Sequence, residues 1–323
     1  MYDVAALGEV LIDFTCMDTN EEGYPLLQAY PGGAPANFLA ALSCYGCRTA
    51  FIGKVGQDVF GKLLIDTLKK QGIDTRGVIR DENLFTTLAF VTLDKNGERE
   101  FSFARKPGAD TGLKPEEVDL SILDEARVFH FGSLSLTDEP ARETTKYLVK
   151  AAKEKGLMIT YDPNLRRPLW KNLEEAREQI LWGLKQADIV KISEEEVEFL
   201  FQCDVVKGAE KIIYEYGADL VFVTCGSEGC YYSTGSVFGH VPGLQNISVV
   251  DTTGAGDIFG GSALSKLLQL KKKPWELTRA ELEEMVSFAC IAAGLSTTRR
   301  GGISSIFPKE DVVEYGNRKK EES

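Results

Sequence analysis

Short apolar runs alternate along this chain with stretches of helical periodicity, and that alternation restricts the fold more than any other feature. Residues 49–52, 128–131, 158–161, 188–192 and 220–224 have the length and composition of buried strands. Between and around them, 34–47, 59–71, 141–155, 173–186 and 194–201 carry the spacing of helices. Strands and helices in turn predict an α/β fold, with a mostly parallel central sheet and helices on both faces. The N-terminal run 4–14 reads as one buried strand that emerges at Asp13. One section breaks the rhythm: 86–93 and 98–103 are β-rich and flank Asp94-Lys95-Asn96-Gly97, whose Asn-Gly is a hairpin-turn signal. A hairpin standing off the main sheet is expected there. Joined by 14–30, it makes a small lid of about 14–30 and 85–110 on a single domain spanning 1–323. The charged end, 317–323, is expected to fray.

Bulk properties narrow the partners. With 43% apolar and 27% charged residues, the chain has the make-up of a soluble globular protein. A net charge of −12 argues against nucleic acid or an anionic membrane surface as the main partner. It leaves ATP open, because a nest of amides and a few cations bind phosphate within an acidic protein. No run approaches the length of a membrane span, and the N-terminus lacks the basic and apolar regions of a signal peptide. Seven cysteines, an odd and scattered set, fit reduced thiols and a cytoplasmic location.

Chemistry concentrates in Asp251-Thr252-Thr253-Gly254-Ala255-Gly256-Asp257. The apolar run 247–250 before it reads as a strand and the segment after it as a helix. A strand, a turn of tiny residues and a helix N-terminus make an anion site, since first-turn amides lack intrahelical acceptors. Asp257 at the mouth of such a site repels phosphate, so it needs a purpose: taking a proton from a hydroxyl that attacks the phosphate. Asp251 stands at the other end of the turn.

Other strings are weaker singly. Pro31-Gly32-Gly33-Ala34-Pro35-Ala36-Asn37 puts paired glycines at a helix entrance and presents Asn37 from the first turn. Alone it reads as a loop with a proline helix start, and Asp13 alone as a turn carboxylate; together they could hold sugar hydroxyls. Thr224-Cys225-Gly226-Ser227-Glu228-Gly229 suits nucleotide phosphates or an ordinary tight turn. Ser193 reads as an N-cap with Glu196 completing a capping box. Arg166, in Asp162-Pro163-Asn164-Leu165-Arg166, follows a strand at its carboxyl end, where open α/β sheets place ligands; it serves a phosphate or a surface salt bridge.

Several apparent motifs fail. Gly56–Leu63 has P-loop spacing, but Leu63 replaces the Ser or Thr that would hold Mg²⁺, and Asp58 reads as an N-cap. Gly254-Ala255-Gly256 misplaces the third glycine of a dinucleotide fingerprint at Gly260. Cys44-Tyr45-Gly46-Cys47 ends a helix and has no second pair, and His130 reads as a packed core residue.

Taken together, Gly32–Asn37 early, Asp251–Asp257 late and the hairpin lid make the chain resemble the ribokinase-like (PfkB) carbohydrate kinases from about Val4 to Pro308. Its 103–110 and 162–170 strings are most similar to the bacterial fructokinase subgroup; 2-keto-3-deoxygluconate and aminoimidazole riboside kinases share parts of them. The resemblance implies ATP-dependent phosphorylation of a primary hydroxyl, with fructose as acceptor and fructose 6-phosphate as product. It implies Asp257 as base and the Gly254, Ala255 and Gly256 amides as anion hole. Asp13, Gly32, Gly33 and Asn37 would hold the sugar, Arg105 would close from the lid, and Arg166 would lie near sugar or phosphate. Thr224, Gly226, Ser227 and Gly229 would line the ATP phosphates, with Cys290 bordering adenine. Ser193 stands where the family commonly has Asn, while Glu196 matches the glutamate that organises Mg²⁺ through water. A monovalent cation, K⁺, would lie near Asp251, Thr253, Ser296, Arg299, Gly301 and Ser305. Phe85, Leu88, Phe90 and Phe101 offer apolar lid surface for a homodimer. A non-catalytic sugar or nucleotide sensor on the same fold would have lost the base or the glycine turn, and both are intact.

Overall fold

The computed structural model describes residues 1–93 and 99–321. Thirteen strands form among them: β1 (Tyr2–Leu7), β2 (Leu11–Thr19), β3 (Pro25–Gly32), β4 (Thr49–Gly56), β5 (Ile73–Asp81), β6 (Leu88–Leu93) and β7 (Arg99–Ala104), followed by β8 (Ala126–Gly132), β9 (Met158–Asp162), β10 (Ile189–Ser193), β11 (Leu220–Thr224), β12 (Cys230–Ser233) and β13 (Phe238–Val241). Nine of them make the main sheet, in the order β13-β12-β11-β10-β9-β8-β1-β4-β5. From β5 across to β11 every pairing is parallel; β12 and β13 add an antiparallel edge. The order runs outward both ways from β1, so the chain reverses between β1 and β8. Open α/β sheets bind ligands beside such a reversal, at the carboxyl ends of the strands.

Both faces are buried, which is why the strands read as continuous apolar runs. Along β1, Val4 and Ala6 pack into one core with the Ala34–Cys44, Ala255–Leu270 and Arg279–Ser296 helices. Ala5 and Leu7 point the other way, into a core with the Ala141–Glu154, Leu173–Leu184 and Val205–Tyr214 helices. The helix starts follow local chemistry. Asp58 caps Val59–Lys70 by accepting from the Phe60 and Gly61 amides at 2.9 and 2.8 Å, and no P-loop forms there. His130 is buried and stacks on Phe38 with ring centroids 3.8 Å apart.

Three local expectations are corrected. The 4–14 run is two strands in different sheets: β1 ends at Leu7, and β2 begins at Leu11 in a second, four-stranded sheet ordered β3-β2-β6-β7. Hydrophobicity runs on through the break because both strands are buried there, so composition does not mark it. The 247–250 run forms no strand. The Val250 and Asp251 amides instead donate to the Thr297 carbonyl at 2.8 and 3.0 Å, and Val249 and Val250 are exposed. Finally, the Lys309–Glu321 helix takes in most of the segment expected to fray. The Asp94–Gly97 turn and the Phe101 side chain lie outside what is described.

Candidate active site

The glycine turn carries the site. Gly254 precedes the Ala255–Leu270 helix in the left-handed region at φ 77°, where a side chain would be strained and its Cβ would come within 2.9 Å of Gly302 Cα. Ile258 N donates to Gly254 O at 2.8 Å, starting the helical ladder. The Gly256 and Asp257 amides precede that first bond and lie at the wall of the cleft. Ala255 differs from expectation: its amide turns back to the Thr252 carbonyl at 3.3 Å, so it serves the turn.

Asp257 is buried, and Asn37 Nδ2 donates to its Oδ2 at 2.8 Å. Burial raises its carboxyl above the ordinary range, against the pull of the Asn37 hydrogen bond and the Lys191 and Arg166 charges. A raised pKa suits a base that must receive a proton near neutral pH. Asn37 is aimed by the Ala34–Cys44 helix, whose entrance is Gly33 at φ 111°. A Cβ on Gly33 would sit 2.4 Å from the Glu9 carbonyl oxygen, so only glycine fits that crossing. Glu9 also fixes this entrance through its side chain, accepting from Ala34 N at 3.0 Å.

Asp13 projects from β2 into the same space. Burial pushes its pKa up to about 7, with Arg166 pulling it down and Asp251 and Asp257 pushing it up. Gly32, which pairs with Leu11 on the neighbouring strand and is not among the residues lining the cleft, passes close by: a Cβ there would meet an Asp13 carboxylate oxygen at 2.3 Å. A cleft of about 640 Å³ joins these groups. Asp13, Gly33, Asn37, Gly254, Gly256 and Asp257 line it, and so do Arg166, Ser193, Glu196, Thr224 and Thr253 from neighbouring loops. Two sequence-distant motifs thus meet at one hydrogen bond.

Other expected residues sit behind or beside the cleft. Arg105 is buried away from its wall and already engaged: Nε donates to Asp110 at 2.8 Å, one terminal nitrogen to Thr137 at 2.8 Å and the other to the Leu134 carbonyl at 2.7 Å. It fastens the foot of β7, so a guanidinium free to close from the lid is not what the structure has. Cys290 is a core residue whose thiol burial pushes up to about 12. Gly226, Ser227 and Gly229 form a tight turn closed by Cys225 N donating to Gly229 O at 2.8 Å, next to Thr224.

Glu196 completes a capping box with Ser193, and its two oxygens accept from Leu165 N at 2.7 Å and Ser193 N at 2.8 Å. Asp251 accepts from Thr253 N and from Gly301 N, each at 2.9 Å, and so ties the glycine turn to the 296–305 segment. There the Ser305 hydroxyl donates to Gly302 O at 2.8 Å and the Ser296 hydroxyl to Ala293 O at 2.7 Å. The Arg299 guanidinium lies 3.5 Å over the Phe307 ring, leaving only its backbone to serve a cation. Among the described residues no cluster of three His, Cys, Asp or Glu side chains forms a metal centre.

Sequence reasoning missed three residues. Glu9 and Lys191 line the cleft and Asp162 lies against Lys191; Glu9 and Lys191 belong to no quoted motif, and Asp162 stands in the 162–170 string without a role of its own. The available signal was Lys191 itself, a lone charge inside the apolar Ile189–Ser193 run.

A parallel sheet reversing beside a glycine-turned helix, a buried carboxylate at that turn and a small second sheet over the cleft define the ribokinase-like class of small-molecule kinases. The chain belongs to the pfkB family of carbohydrate kinases, whose profile matches residues 1–310. It is 42% identical to fructokinase-1 of Zea mays over 315 residues, covering 96% of each chain. Among solved structures it is similar to the Xylella fastidiosa fructokinase with bound ATP, at TM-score 0.90 and 29% identity over 99% of this chain and 100% of that one. A Vibrio cholerae fructokinase double mutant in a fructose-, ADP- and potassium-bound form matches at TM-score 0.86 and 29% identity over 98% of each chain. No described helix is long and apolar enough to cross a membrane.

Proposed function

We propose that this carbohydrate kinase is a fructokinase, transferring the γ-phosphoryl group of ATP to the primary hydroxyl of fructose and yielding fructose 6-phosphate and ADP. The observation that carries the reading is the Asn37–Asp257 hydrogen bond at 2.8 Å, which sets a buried base at the N-terminus of a helix built to receive an anion. Relatives bearing the fructokinase name over nearly the whole chain support the choice of sugar. Asp257 takes the hydroxyl proton as the sugar oxygen attacks the γ-phosphorus. The new oxygen–phosphorus bond forms while the bond to the ADP oxygen breaks, and ADP leaves with that electron pair. Amides of the helix start stabilise charge that builds on the transferring group. Asp13 and Asn37 orient the sugar, while Thr224 and the Gly226–Gly229 turn receive the ATP phosphates. The second sheet excludes water that would otherwise compete as acceptor. Phe85, exposed just before β6, suits pairing with a second copy, and seven free thiols suit a reducing cytoplasm.

Two ions fit the residues present. Glu196 is held by backbone amides on both oxygens, which suits a carboxylate orienting the waters of Mg²⁺; that ion would neutralise phosphate charge. Asp251 and nearby carbonyls supply the hard oxygen donors that K⁺ takes, beside the helix start. Replacing K⁺ with a bulky organic cation in the assay buffer is expected to lower kcat about tenfold or more, with restoration on adding KCl. Equal rates in both buffers would remove the ion from the proposal.

The test of the sugar is ATP consumption with fructose, 2-keto-3-deoxygluconate, ribose, adenosine and aminoimidazole riboside. The highest kcat/KM is expected for fructose, and a higher value for another acceptor reassigns the enzyme. Asp13 adds a pH signature. Burial favours its protonated form, so ionised Asp13 is lost as pH falls through about 7. Below that, kcat/KM for fructose is expected to drop because a neutral carboxyl accepts sugar hydroxyls less strongly. Stability takes the opposite sign: between the ordinary aspartate value and about 7 the folded state holds the extra proton, so stability falls as pH rises across that window. Asp13→Asn is expected to flatten this slope in a series of melting curves; an unchanged slope assigns it to other groups.

A further inference from the structure

Lys191 and Asp162 occupy neighbouring positions at the carboxyl ends of β10 and β9, where Ile189 pairs with Thr160 and Val190 with Tyr161. Lys191 Nζ donates to Asp162 Oδ2 at 3.0 Å, and only 12% of the Lys191 side chain and 8% of the Asp162 side chain are exposed. Asp162 Oδ1 is buried and has no hydrogen-bond partner among the described residues. A pair kept for stability alone would be expected to satisfy that oxygen, since an unmatched buried acceptor costs free energy. The ammonium lies directly against the helix start: a Cβ on Gly256 would come within 2.7 Å of Lys191 Nζ. Lys191 lines the cleft, with Asp257, Glu196 and Asp162 acting on its charge. An ammonium is a compact point charge with three donors, of which Asp162 takes one.

We propose that Lys191 is a catalytic residue, delivering its ammonium to the γ-phosphoryl group as it passes over Gly256, and that Asp162 is the positioning residue holding it there. The inference rests on the kinase reading above. Lys191 keeps its proton throughout and adds positive charge where the helix amides converge. Its effect falls on the transferring group, so kcat carries it and fructose affinity does not. Asp162 acts through Lys191, and its loss lets the long side chain leave the Gly256 position.

The experiment compares wild type with Lys191→Met, Lys191→Arg and Asp162→Asn in steady-state assays with ATP and fructose, alongside calorimetric binding of fructose and of ADP. Lys191→Met is expected to lower kcat about 10²–10³-fold, the scale of losing one transition-state charge partner. Its fructose and ADP affinities are expected to stay within about threefold, because ADP lacks the group Lys191 serves. Lys191→Arg should recover at least about tenfold of that loss, and Asp162→Asn should lower kcat about tenfold with fructose KM unchanged. Lys191→Met turning over within about threefold of wild type overturns the proposal while leaving the kinase reading intact. Loss of fructose binding in both lysine variants also overturns it, by making the residue structural. A wild-type protein inactive with every sugar defeats the kinase reading, and this proposal with it.

Discussion

Asp257→Asn is expected to lower kcat by about 10²–10⁴ while the protein stays folded and binds fructose and ATP with near-wild-type affinity. The substitution keeps the shape of the side chain and an oxygen able to accept from Asn37 Nδ2, so the 2.8 Å hydrogen bond has a counterpart. What it removes is proton affinity. Stability should not suffer, because a carboxylate buried among apolar and polar neighbours costs desolvation that an amide avoids. The melting temperature of the variant is therefore expected to equal or exceed that of wild type. Calorimetric titration of both substrates, read beside initial rates, checks the prediction. Turnover near the wild-type rate would remove Asp257 from proton transfer, and loss of fructose binding would reassign it to holding the sugar.

The second large effect is expected at Gly33→Ala, a change that adds one methyl group and touches no reacting atom. Gly33 holds φ 111°, and the new Cβ would lie 2.4 Å from the Glu9 carbonyl oxygen and 2.9 Å from Val10 Cα. All of these are backbone contacts, so no side chain can swing away to relieve them. Dihedral strain and overpacking together are expected to cost about 2–4 kcal/mol, read as a lower denaturant midpoint with unchanged slope. Because the Ala34–Cys44 helix carries Asn37, fructose KM should rise as well. An unchanged midpoint would mean that the β1–β2 crossing is soft, and would undo the argument for how Asn37 is aimed.

Much of this arrangement is legible in the sequence because the physics behind it is local. The helix at Glu194–Phe201 follows from a capping box, and the strands of the main sheet follow from apolar runs buried on both faces. The glycine turn and Asp257 are readable because an anion site and a carboxylate are in conflict unless chemistry resolves it. Residues whose roles depend on distant partners were harder. Arg105 looks like a lid cation in sequence, but Asp110, Thr137 and Leu134 capture it. Lys191 matters only because β9 brings Asp162 beside it and the Ala255–Leu270 helix brings Gly256 over it. The 247–250 run has strand composition, yet its backbone finds Thr297 as acceptor and the chain passes as a loop.

The break between Leu7 and Leu11 has a mechanical consequence. A long linker would have let the covering sheet move independently of the floor of the cleft. Instead, three residues join them, and one of the three is Glu9, whose side chain holds the Ala34 amide. Asp13 lies two residues beyond the break, on the strand that pairs with β3 and β6 at the centre of the small sheet. Any tilt of that sheet therefore carries Asp13 with it. If Asp13 holds the sugar as proposed, a sugar that draws it inward would pull the cover down by the same movement. On the proposed reading, seating the acceptor and covering the cleft would then be a single displacement.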